Sequence, residues 1–64
     1  MQGTVRLFNR AKGYGFIAPD DGSKDVFFAS WGLRGITRVD VGDRVRFDVE
    51  KPDSTARASN IVLV

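Results

Sequence analysis

Lys12, Tyr14 and Phe16 occupy alternate positions in the run Lys12-Gly13-Tyr14-Gly15-Phe16-Ile17. On an extended strand, alternate side chains share a face. A cation and two aromatic rings then line one side, and Gly13, Gly15 and Ile17 line the other. Rings in a row offer π-faces on which unpaired bases can stack, and an ammonium beside them can meet a phosphate. The intervening glycines leave backbone that a planar ligand can approach closely. Strand aromatics also pack in protein interiors. The run alone therefore supports two readings, a stacking platform and ordinary core rings.

The elements that must hold this run are short strands. Residues 3–9 read as a first strand with Val5 inward, and the adjacent pair Leu7 and Phe8 breaks strict alternation, which points to a bulge or strong coiling. The second strand covers 14–18 and is ended by Pro19, after which Pro19-Asp20-Asp21-Gly22-Ser23-Lys24 is a turn signal. The third covers 25–29, with Val26 and Phe28 on one side and Phe27 and Ala29 on the other. Residues 30–36 read as a loop with room for one short helical turn, and 40–43 as a turn. Residues 44–50 alternate most cleanly, with Val45, Phe47 and Val49 between charged residues. A polar loop, 51–55, leads to a fifth strand over 56–64. Five strands with turn signals between them and no amphipathic helix of useful length predict an all-β fold, a small barrel or curled sheet. Its expected core is Val5, Ile17, Val26, Phe28, Val45, Phe47, Val49, Ile61 and Leu63.

Composition narrows the chemistry. At 64 residues the chain reads as one small domain over 1–64, and with no cysteine and no histidine it has no disulfide, no thiol or imidazole nucleophile, and almost no means of holding zinc. Asp20, Asp21 and Asp25 form the one carboxylate cluster, and an acidic, turn-rich loop is usually a solvated turn. A barrel of this size also has little room for a water-excluding pocket. An enzyme is not expected, and neither is a cofactor or a small-molecule substrate. The start of the chain carries no apolar run that suggests a signal peptide or membrane span, so the expectation is a cytoplasmic protein with no membrane partner. A monomer is expected, with strand exchange between chains left open by the short connection after the third strand. The net charge is only +2, but Arg6, Arg10 and Lys12 precede any acid and gather the positive charge beside the aromatics. With Val26 and Phe28 inward, Phe27 joins Tyr14 and Phe16 outside, bordered by Arg6 and Leu7; the direction of Phe8 stays open. Such a patch costs solubility unless it is used. Arg34, Arg38, Lys51 and Arg57 could follow a phosphate backbone or be plain solvated surface. Arg44 and Arg46 have Asp48 and Glu50 as cross-strand partners to hand.

The motifs resemble the bacterial cold-shock protein family. Gly3-Thr4-Val5, Phe8-Asn9, Lys12-Gly13-Tyr14-Gly15-Phe16-Ile17 and Asp25-Val26-Phe27-Phe28 match its opening and its two ribonucleoprotein motifs, and Gly42, Val45, Phe47 and Ala58-Ser59-Asn60-Ile61 match its later strands. The resemblance covers nearly the whole chain. It implies a five-stranded antiparallel OB-fold barrel that binds single-stranded RNA or DNA, often as an RNA chaperone. It also implies roles for particular residues. Lys12 contacts phosphate; Tyr14, Phe16 and Phe27 stack on bases with Phe8 flanking them; Asn9 and Asp25 bond base edges or hold the loops; Arg6 replaces a lysine. Other positions depart from the pattern. Leu7 stands in place of a stacking tryptophan, Ala29 in place of a histidine, and Ile36 in place of a loop aromatic, while Ser54-Thr55-Ala56 replaces a glycine-proline. Trp31 either restores a platform or plugs the end of the barrel. The thinned aromatic set leaves a second expectation, an OB-fold module that binds a protein.

Overall fold

The computed structural model describes residues 1–36, 39–50 and 56–64. Their strands are β1 (Gln2–Asn9), β2 (Tyr14–Pro19), β3 (Val26–Ala29), β4 (Arg44–Glu50) and β5 (Arg57–Leu63), with one 3-10 turn over Ser30–Gly32 after β3. They close into a barrel in the order β1-β2-β3-β5-β4. β1, β2 and β3 form an antiparallel meander, β1 also pairs with β4, and β4 pairs with β5. The barrel is closed by a parallel contact of β3 with β5 at Phe27 and Arg57. This is the small barrel that the strands and turn signals predict, and the five-stranded OB-type barrel that the resemblance implies.

Two irregularities decide which side chains enter the interior. On β1, Val5 pairs with Ile17 but Leu7 already pairs with Phe16, so Arg6 is an extra, bulged residue. Val5 and Phe8 therefore point inward, although they are three apart. On β5 the register shifts from Val62 opposite Arg46 to Ser59 opposite Asp48, and Asn60 takes the left-handed conformation at φ 52°. Asparagine tolerates this region better than most residues. The bulge lets Ala58 and Ile61 both face inward.

The core is Val5, Ile17, Val26, Phe28, Leu33, Val39, Val45, Phe47, Ala58 and Ile61. Two expected members differ. Val49 is half-buried and packs against the core from its edge. Leu63 is 47% exposed at the last position of β5, at the rim of the barrel. Leu33 and Val39, from the connection between β3 and β4, fill interior space instead, helped by the bridge of Leu33 to Ile61. Ile36 packs against the same core.

The turns follow their sequence signals. Gly22 N–H donates to the Pro19 carbonyl, and Asp43 N–H donates to the Asp40 carbonyl while the Asp43 carboxylate accepts from Asp40 N–H. Arg44 pairs across the barrel surface with Asp20, two bonds of 2.6 Å, and also donates to the Thr4 hydroxyl. That corrects the expectation of pairing with Asp48 or Glu50, which lie on the same strand as Arg44. Asp48 instead accepts from the Asn60 amide and Glu50 from the Ser59 hydroxyl. The hydrogen bonds from Arg44 hold the Asp20 carboxyl below its usual range, against a weaker opposing effect of desolvation.

Candidate nucleic-acid interface

Directly opposed residues of neighbouring strands point to the same side of a sheet. The register therefore lays out the outer face of β1–β3 as two rows. One row runs Leu7, Phe16, Phe27 and on to Arg57; the other runs Asn9, Tyr14 and Ala29. Between them lies an inward row of Phe8, Gly15 and Phe28.

Tyr14, Phe16 and Phe27 form a mutual cluster on the outer face. Tyr14 and Phe27 lie nearly parallel, 6.0 Å apart with 22° between their planes. Phe16 stands edge-on to both, at 6.3 Å from Tyr14 and 5.9 Å from Phe27. These offset and edge-to-face geometries suit the ring quadrupoles. All three are half-buried by one another and by their strands, so each keeps surface open to solvent. Leu7, 44% exposed, extends the cluster beside Phe16.

Phe8 does not belong to this face. Its ring stacks on Phe28 at 5.8 Å and 9°, on the core side. The bulge at Arg6 turns it there. Phe8 and Phe28 come from the strands on either side of Gly15 and lean together over it. A Cβ on Gly15 would collide with the Leu7 backbone carbonyl on β1 and come within 2.7 Å of the Phe28 ring. Gly15 is thus required by the interior, not by a ligand approaching from outside, which corrects the sequence reading of that glycine. Gly13 has a different task again: at φ 71° it completes the turn between β1 and β2.

Lys12 sits in that turn and not on β2, so it shares no strand face with Tyr14 and Phe16. Asn9 builds the turn: its side-chain oxygen accepts from Lys12 N–H and its carbonyl from Gly13 N–H. The exposed ammonium of Lys12 is thereby carried at the Tyr14 end of the ring cluster. At the other end, Arg6 at the bulge approaches Asp25 before β3 at 3.7 Å, an exposed pair. Arg10 and Arg57 are exposed. Arg34 is tied to the Asn60 side chain. Arg38, Lys51, Ser54 and Thr55 lie outside the described residues.

Trp31 is 71% exposed. It does not plug the barrel; Gly32 and Leu33, the next two residues, face inward in its stead. A recess of about 330 Å³ beside the interface, lined by Phe8, Arg10, Val39, Asp40 and Val41, had no sequence signal, because residues 39–41 lie in an irregular connection without periodicity. Among the described residues no group of three or more metal-ligating side chains is assembled, and no helix is long and apolar enough to cross a membrane.

A closed OB-type barrel that displays clustered rings and nearby cations on one sheet face defines a class, the small β-barrel nucleic-acid-binding domains. Comparison with known proteins gives the family. The family model described as the "'Cold-shock' DNA-binding domain" matches residues 1–64, and the chain belongs to this family of nucleic-acid-binding domains. It is 39% identical over 64 residues to cold shock-like protein CspE of Escherichia coli K12, covering 97% of this chain and 93% of the relative. It is 43% identical over 61 residues to the major cold shock protein of Micrococcus luteus, covering 92% and 91%. Cold shock-like protein CspA of Shewanella violacea is 40% identical over 62 residues, covering 94% and 89%.

Proposed function

We propose that this chain binds single-stranded RNA or DNA with low sequence specificity through the outer face of β1–β3. Tyr14, Phe16 and Phe27 stack on successive bases, and Lys12, with Arg6 and Arg57 at the margins, meets the phosphates. The observation that carries the reading is the ring cluster itself: three aromatic side chains within about 6 Å of one another, outside a barrel that has a separate, complete core. Stacking accepts every base, because each has a π-face. A binder of that kind can act as an RNA chaperone, holding strands unpaired without selecting a sequence. The reading takes the chain as a single-domain monomer in the cytoplasm and assigns it no catalytic step.

A titration with oligo-dT and oligo-U heptamers at two salt concentrations tests it. If three to five cations meet phosphates, log K falls with log salt at a slope of about −2 to −3.5 for a single strand. No response to either heptamer up to millimolar concentration contradicts the reading. A second reading, a protein-binding module, draws on exposed Leu7 next to Phe16, where an aliphatic side chain borders the rings. It requires a protein partner whose binding is lost when Tyr14 or Phe27 is changed.

A further inference from the structure

We infer that the recess past β1, lined by Phe8, Arg10, Val39, Asp40 and Val41, is a pocket for one guanine base. It receives a nucleotide of the strand laid on the binding face proposed above, so the inference rests on that reading. It adds selectivity at one position to an otherwise sequence-tolerant surface.

The register sets the position of the recess. The outer row Ala29, Tyr14 and Asn9 runs across the sheet from β3 to β1. Phe8 and Arg10 are the chain neighbours of Asn9, and both line the recess. A strand that crosses the rings along this row meets the recess as it leaves β1. On that side β1 pairs with β4 only over its first residues, Gln2, Gly3 and Thr4. The turn before β4 then takes over: Val5 N–H donates to the Asp43 carbonyl at 2.9 Å, and Gly42 N–H to the Val5 carbonyl at 2.8 Å. Beyond Val5 no ladder continues along this edge among the described residues. Both lips of the resulting gap are anchored. Asp40 N–H donates to the Asp43 carboxylate at 2.9 Å, and the Asp40 carbonyl accepts from Asp43 N–H at 3.0 Å. Arg10 follows Asn9, whose carbonyl accepts from Gly13 N–H at 2.7 Å.

The lining selects the guest. Its inner part is apolar: Val39 is buried, and Phe8 is half-buried with its ring stacked on Phe28. Arg10, Asp40 and Val41 are exposed at the rim. Among the described residues the ion pairs are Arg6 with Asp25 and Arg44 with Asp20. Arg10 and Asp40 thus share one recess without pairing with each other. A guest that satisfies both needs acceptors on one edge, donors on another and flat faces between. Guanine has all three. Its O6 and N7 accept from a guanidinium fork. Its N1–H and N2 amino group donate to the two oxygens of a carboxylate. Thymine and uracil carry a single ring N–H and leave one carboxylate oxygen unmet. A volume of about 330 Å³ lies at the low end of the ~300–1,000 Å³ range of small-ligand sites, which suits one base better than a peptide segment.

The test titrates the intact chain with an oligo-dT heptamer and with heptamers carrying a single guanine at each position in turn. Tyr14 and Phe27 ring resonances and Val39 and Val41 methyl resonances are followed alongside. One guanine position should bind roughly 5- to 150-fold tighter than oligo-dT, the effect of one bidentate pair. That heptamer should shift both valines, and oligo-dT should not. Inosine, which lacks the N2 amino group, or 7-deazaguanine, which lacks N7, should lose most of the gain at the same position. Asp40→Asn and Arg10→Gln should each bring the guanine heptamer and oligo-dT within twofold of one another. Heptamers that shift Tyr14 and Phe27 with no guanine position gaining more than twofold overturn the inference and leave the binding face intact. A gain that survives both substitutions does the same. Heptamers that bind nowhere overturn both.

Discussion

Two aromatic clusters share the strands β1, β2 and β3, and they meet opposite fates. Phe8 and Phe28 stack inside, over Gly15. Tyr14, Phe16 and Phe27 gather outside on the same three-strand sheet. Phe27 and Phe28 are chain neighbours, so hydrophobicity cannot sort them. Strand parity does, and on β1 the bulged Arg6 resets it. The inner cluster closes to a nearly parallel pair at 9°, filling the space a glycine leaves. The outer cluster is splayed, with Phe16 edge-on at 89° to Tyr14, and leaves surface unfilled. One cluster is closed off by the protein itself; each ring of the other keeps surface open to solvent.

Changing one member of each cluster should separate stability from binding. The largest effect belongs to Phe28→Ala. Emptying a fully buried ring costs about 3–5 kcal/mol, comparable to the whole stability of a domain this small. Thermal melting followed by circular dichroism should find the variant largely unfolded at room temperature, and a cooperative melt near that of the parent would break the distinction between the clusters. Gly15→Ala comes next, at about 1–3 kcal/mol for overpacking against the Leu7 carbonyl and the Phe28 ring, read as a lowered melting temperature with unchanged affinity once folded. Phe27→Ala should do the reverse. It loses ring–ring contact worth about 0.5–1.5 kcal/mol but weakens a heptamer by about 1–3 kcal/mol, measured by titration below the melting temperature. Asp20→Asn, remote from both clusters, sharpens the contrast as a control. The Asp20 pKa is lowered by Arg44 in the folded chain, so its contribution is fully present above the ordinary carboxylate range and fades as pH falls through the lower folded value. The variant should lose less melting temperature on acidification than the parent, with unchanged affinity for either oligonucleotide at neutral pH.

Much of this arrangement is legible in the amino-acid sequence, because alternation survives wherever the strands are regular. β4 begins and ends where the pattern of Val45, Phe47 and Val49 places it, and the split between Phe27 and Phe28 follows from Val26 and Ala29. Legibility fails where the backbone departs from two-residue parity. The bulge at Arg6 left Phe8 open in the sequence and carries it inward. The left-handed Asn60 brings Ala58 into the core, which no two-residue pattern through Ile61 and Leu63 could indicate. Leu33 and Val39 were hidden for another reason, since irregular connections have no period to read. Alternation alone places Lys12 on a strand face, whereas the turn at Gly13 sets it apart from β2. The local pattern cannot distinguish a glycine that opens space for a ligand from one that yields it to a neighbouring ring. Only the pairing of Gly15 with Phe8 and Phe28 does so.

Ring resonances of a sample labelled on phenylalanine and tyrosine, followed while an oligo-dT or oligo-U heptamer is added, test the division of labour most directly. The account predicts that Tyr14, Phe16 and Phe27 shift together and saturate at one equivalent while Phe28 stays in place. Saturable binding that leaves the three outer rings unmoved would contradict it.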